Sequence, residues 1–158
     1  MAVSYRFVEN ILRLDLVGIY PPEDIINAFD RALEDPRFPA QNARFLLDVT
    51  RSESLADRSV DDLRRVAEYF AARADRYGRR CAILAESAVH FRLMRMAIVF
   101  AEVSSAEARV FKGEEEAVLW LNRGLQFASE KNAATGETAG SETGSGETAS
   151  GEAGGANN

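Results

Sequence analysis

Arg44-Phe45-Leu46-Leu47-Asp48-Val49 is a short apolar stretch that runs through a polar segment, Thr50 to Arg58, into Ser59-Val60-Asp61-Asp62-Leu63 and on to Tyr77-Gly78. The first six residues read as a strand. After the polar segment, Leu63, Val66, Ala67, Phe70, Ala74 and Tyr77 recur at helical spacing. Ser59 stands at the N-cap position with Asp62 three residues on, and Gly78 stands where a left-handed C-cap belongs. The stretch predicts strand, loop and one helix from Ser59 to Gly78. In an open α/β sheet, ligands and partners meet the protein where a strand's carboxyl end hands over to a helix. The loop from Thr50 to Ser59 is therefore the first place to look for a site.

Working outward, Ser4 to Val8 and Ile11 to Ile19 alternate as strands do, with Tyr5 and Phe7 on one face and Leu12, Leu14 and Leu16 on one face. Glu9-Asn10 between them is short enough for an antiparallel hairpin. Pro22, Glu23 and Asp24 open a helix whose apolar face is Ile25, Ile26, Phe29, Ala32 and Leu33, and Pro36 and Pro39 stop it. Cys81 to Ala85 is a continuous apolar run, as in a strand buried on both faces. A third helix spans Ala88 to Val103, Ala108 to Phe111 is a fifth strand, and Glu114-Glu115-Glu116 opens a last helix through Ala117, Val118, Trp120, Leu121 and Leu125. The order β-β-α-β-α-β-α-β-α predicts an α/β fold with a mixed, mainly parallel sheet of about five strands that starts with a β-hairpin, plus four helices.

Composition divides the chain. From Asn132 to Asn158 no apolar residue is larger than Ala, and Glu137, Glu142, Glu147 and Glu152 recur in a Gly/Ser/Thr/Ala background. Such a segment buries too little apolar surface to offset its ordering entropy, so residues 132–158 are expected to be a disordered low-complexity tail and residues 1–131 one domain. The tail holds four of the 25 acidic residues and none of the 19 basic ones, leaving the rest at 21 against 19. A clustered positive patch is missing, which argues against nucleic acid as a partner. One Cys and one His argue against a disulfide framework, a metal site or any cofactor built on such ligands. The longest apolar run, Met96 to Ala101, is far short of a membrane span, and the N-terminus lacks the apolar core of a signal peptide. The expectation is a cytoplasmic protein without stable membrane insertion.

The hairpin-first order, the strand Leu46-Leu47-Asp48-Val49 and the ending Arg109-Val110-Phe111-Lys112-Gly113-Glu114-Glu115-Glu116-Ala117-Val118-Leu119-Trp120-Leu121 resemble the SpoIIAA-like family, small bacterial proteins of the STAS and Sec14-like kind. The resemblance covers most of residues 4 to 125 and implies a STAS-like fold. STAS domains act mostly as regulatory and protein-binding modules and not as enzymes. Many bacterial ones are switched by phosphorylation of a serine in an Asp-Ser-Ser-Gly motif at the start of the helix after the third strand. Here that region reads Ala56-Asp57-Arg58-Ser59-Val60. Asp57 and Ser59 match if one residue is inserted in the loop, while Arg58 and Val60 depart from the motif.

Ser59 accordingly has two readings, a helix cap and a phosphorylation switch, with Asp57 beside it. Asp48, Thr50, Arg51, Ser52, Ser54, Glu86, Ser87 and His90 are expected at the carboxyl ends of strands three and four, where a crevice forms. A hydrolase would take Ser87 or Ser52 as nucleophile, His90 as base and Asp48 as orienter. Neither Ser sits in a Gly-x-Ser-x-Gly elbow, and Ser87 reads equally as the N-cap of the third helix. On that helix Arg92, Arg95 and Glu102 form a narrow polar arc, and apolar side chains cover about two-thirds of the circumference, more than one packed face needs. Phe91, Met94 and Ile98 are the candidate interface residues. The expected role is a non-enzymatic regulatory or protein-interaction module, a homodimer or bound to a protein partner. The alternative, which Sec14-like relatives imply, is a binding protein for a small apolar or lipid-like ligand.

Overall fold

The computed structural model describes residues 2–102, 106–123 and 125; the expected low-complexity tail lies outside the described residues. The sheet belongs to a compact unit that ends at Asn122. Its strands are β1 (Val3–Val8), β2 (Ile11–Gly18), β3 (Arg44–Ser52), β4 (Arg80–Leu84) and β5 (Glu107–Phe111). Its helices are α1 (Pro22–Glu34), α2 (Val60–Ala71), α3 (Ala88–Glu102) and α4, residues 114–123.

Five strands lie in sequence order across one sheet, β1 antiparallel to β2 and all later pairs parallel. Val8 pairs with Ile11, so Glu9-Asn10 is a two-residue hairpin, and Glu9 takes a left-handed φ of 57° to close it. Right-handed crossovers between successive parallel strands must all pass over the same face, which puts α1, α2 and α3 together on one side. They cover Leu12, Leu14 and Leu16, Phe45, Leu47 and Val49, and Cys81 and Ile83. After the edge strand β5 the chain turns onto the opposite face. There α4 buries Ala117, Trp120 and Leu121 against Ile11, Leu46, Ala82 and Leu84.

Two elements differ from the sequence expectation. β3 continues past Val49 to Ser52 with a bulge, because Asp15 pairs with Asp48 but Val17 pairs with Arg51. The Asp48 carboxylate causes it: Oδ1 accepts the Thr50 backbone N–H at 2.9 Å and the Thr50 hydroxyl at 2.6 Å, gathering in one extra residue. The helix expected to run to Gly78 ends at Ala71. A separate 3₁₀ turn, Ala74–Tyr77, follows, tied by the buried Tyr77 hydroxyl to the Phe70 carbonyl at 2.9 Å. Gly78 then closes it at a φ of 66°.

Candidate functional site: the strand ends, the buried charges and the outer face of α3

The loop after β3 is tied down. Tyr20, on the segment after β2, shares a 2.5 Å hydrogen bond with the buried Ser52 hydroxyl. Arg58 donates to the Tyr20 carbonyl and, at 3.1 Å, to the Ser54 hydroxyl, while its guanidinium lies 5.1 Å from the Tyr20 ring centre. Burial pushes the Tyr20 hydroxyl above its ordinary value, so it acts as a neutral phenol. Ser52 and Ser54 thus hold the loop to Tyr20.

Ser59 is the N-cap of α2: its hydroxyl accepts the Asp62 backbone N–H at 3.1 Å. Asp57 ends the short 3₁₀ turn Leu55–Asp57 and is exposed. Ser59→Ala is expected to lower stability by about 1 kcal/mol, as loss of a cap does. The check is the urea unfolding midpoint, and an unchanged midpoint defeats the capping role. Ser87 plays the same part for α3, accepting the His90 backbone N–H at 3.1 Å.

Asp48 does not serve as an orienter for His90. It points to the α4 face of the sheet, into a charge network that sequence reading left out. Arg13 and Asp15 alternate with Leu12, Leu14 and Leu16, so they share that face, and register sets Asp15 beside Asp48. Arg13 Nε lies 3.0 Å from Asp15, one terminal nitrogen lies 2.5 Å from Asp48, and the other lies 2.8 Å from Glu114 in the first turn of α4. Arg6 on β1 reaches Asp15 at 3.4 Å. Arg13, Asp15 and Asp48 are 8%, 6% and 6% exposed. Burial pulls the Arg13 pKa down, but the bond to Asp15 and the charges of Asp15, Glu114 and Asp48 outweigh it, so the net shift is upward. Arg44 and Arg80 act at the far end of the same helix, donating to the carbonyls of Leu121 and Trp120 at 3.0 Å each. Strand periodicity could have found the network, since Arg13 and Asp15 on one face require a partner once that face is covered.

Between the sheet, α2 and α3 lies a cavity of about 80 Å³, lined by Leu47, Leu63, Phe70, Ile83, Met94 and Ala97 among others, with Arg58 and Asp62 at its polar end. Cys81 also lines it, and burial pushes its thiol far above the ordinary value. The thiolate is the reactive form, so Cys81 is expected to resist alkylation in the folded protein and to react on unfolding. Rapid labelling of native protein by iodoacetamide contradicts this.

α3 is only partly covered. Met94, expected at the interface, faces inward and is 4% exposed, because it stacks with Ala97 against the sheet. Phe91 and Ile98 are half-buried at the margins of the core. The outward apolar side chains are Val89, Met96 and Val99, at 48%, 38% and 59% exposure, with Arg92 in the same stripe. Met94 departs from the expectation because two-thirds of the helix is apolar, which leaves its rotation undetermined by sequence alone.

Among the described residues no helix is long and apolar enough to cross a membrane. No family model matches the chain, and no curated protein matches it. Among solved structures, the chain is similar to an uncharacterized protein from the DUF3478 family with a SpoIIAA-like fold, from Shewanella loihica PV-4. The two share 18% identity over 76% of this chain and 92% of that one, with a TM-score of 0.48.

Proposed function

We propose that the chain is a non-enzymatic, cytoplasmic interaction module that self-associates through the outer face of α3. The observation that carries this reading is the stripe of Val89, Met96 and Val99, three large apolar side chains left in water on one helix. Exposed apolar side chains gathered on one side of a helix, here around Arg92, mark interaction sites, and Met suits an adaptable contact. The tied-down serines support the non-enzymatic part, since Ser52, Ser59 and Ser87 each have a structural partner.

Analytical ultracentrifugation of the full chain tests the reading. The expected result is a reversible dimer that Val99→Asp weakens about 30-fold, the effect of removing a buried anchor, with the circular dichroism spectrum unchanged. A monomer up to about 1 mM leaves too little association energy for a specific interface and defeats the reading.

The cavity favours a second reading, a carrier for a small apolar ligand. Its lining is almost wholly apolar, so an apolar ligand would bury surface there. Native mass spectrometry of protein purified from cells separates the two: extra non-covalent mass on a monomer favours the carrier.

A further inference from the structure

We infer that the self-association occurs by pairing of β5 with β5 of a second copy, the two sheets joining edge to edge. The inference rests on the self-association proposed above and adds its geometry.

Among the described residues β5 pairs with β4 alone. The Glu107 N–H bonds to the Arg79 carbonyl at 2.7 Å, and the Phe111 carbonyl accepts from Ala85 N–H at 2.9 Å. By the alternation of a strand ladder, the N–H and C=O groups of Ala108 and Val110 then point to the open side. Natural edges are blunted by proline, bulges, charged side chains or short length; β5 is five residues long and carries Glu107 and Arg109, whose opposite charges repel most partners but complement a second copy. Glu107–Phe111 contains no proline and stays in even register with β4 throughout. A groove runs beside this edge, bounded by Ile98, Val99 and Glu102 of α3 and by Ala108, Val110 and Phe111. The open main chain and the exposed flank of α3 are therefore one continuous surface.

Charge selects the occupant. Glu107 and Arg109 sit two apart on β5 and point to the same face, both exposed. An antiparallel pair centred on Ala108 sets Glu107 opposite Arg109 of the second copy, and does so twice by symmetry. Centring on Arg109 instead sets Arg against Arg. Opposite charges directly across strands stabilise and like charges destabilise. Glu107 already lies 3.4 Å from Arg80 through one oxygen, which leaves the other for the second copy. On the other face, the same two-fold axis brings α3 beside α3 and covers Val99.

Ala108→Pro is the deciding variant. Its N–H points away from β4, so proline removes no bond of the existing ladder while blocking a new one. Sedimentation of the full chain is expected to show dimerisation at least about tenfold weaker than in the parent, as the loss of a symmetric pair of main-chain bonds implies, with unfolding of the monomer unaltered. A parent dimer lost with Val99→Asp but kept by Ala108→Pro overturns edge pairing and leaves the α3 reading standing. A monomeric parent overturns both. Should Ala108→Pro itself unfold, charge decides: Arg109→Glu is expected to weaken the dimer and Glu107→Arg with Arg109→Glu to restore it. Indifference to both overturns the inference.

Discussion

Arg13→Leu is expected to destabilise the protein by about 3–5 kcal/mol, the range seen when one partner of a buried ion network is removed. The Arg13 guanidinium answers Asp15, Asp48 and Glu114 at once, and Leu leaves Asp48 buried without its cation and Asp15 with the more exposed Arg6 alone. Since a domain of this size is stable by about 5–15 kcal/mol, the loss is a large fraction of the whole, and urea unfolding at pH 7 measures it. The amides of the first turn of α4 are expected to exchange faster too, because Glu114 loses its anchor. Replacing Arg13, Asp15 and Asp48 together by apolar residues is expected to cost much less, since no uncompensated charge remains. A penalty under about 1 kcal/mol for Arg13→Leu alone, the value of a surface pair, shows the network to be solvated and sinks the argument.

Strand alternation explains both what was legible in the sequence and what was not. The period of two in Leu12, Leu14 and Leu16 fixes which residues share a face, and the hairpin at Glu9-Asn10 and the parallel order of the later strands follow from turn chemistry and element alternation. Periodicity does not say what covers the second face. That depends on α4 returning across the sheet, a contact between residues some hundred positions apart, so nothing marks Arg13 and Asp15 as buried until Ala117, Trp120 and Leu121 are placed over their neighbours. The same gap put Asp48 in a crevice. Asp48 lies within β3 and not beyond its end, because the strand continues to Ser52, and the bulge it makes with Thr50 is a local hydrogen-bond choice that no apolar pattern encodes. α3 failed differently. A helix that is apolar nearly all round carries little rotational information, and only packing against the sheet and α2 chose Met94 over Met96 for the interior. At the break after Ala71 the Phe70 carbonyl accepts both the Arg73 N–H and the distant Tyr77 hydroxyl, and the second of these is a contact that helical periodicity does not encode.

Phe29→Ala is expected to cost about 3–5 kcal/mol, as truncation of a fully buried aromatic does. Phe29 is 0% exposed and joins α1 to three other parts of the structure. Its ring centre lies 5.1 Å from Phe45 on β3, 4.7 Å from Phe70 on α2 and 6.3 Å from Tyr77 in the turn that follows. Phe45 in turn contacts Phe70 at 5.0 Å and Tyr77 at 5.2 Å, so the four rings form one connected group that lines part of the new void. Rings held on three elements cannot collapse into the space, which places the cost toward the upper part of the range. For a domain of about 120 residues this corresponds to a fall in Tm of about 10–20 °C, read by calorimetry, while Phe29→Leu keeps more of the volume and is expected to fall by less than half as much. Phe29 lines neither the cavity nor the groove beside β5. Dimerisation of the folded variant is therefore expected to match the parent below its transition. Stability lost with association intact for Phe29→Ala, set against association lost with stability intact for Val99→Asp, separates the core from the proposed interface. Equal loss of both properties in both variants would mean that the monomer has no folded state of its own and that the outer face of α3 belongs to the core.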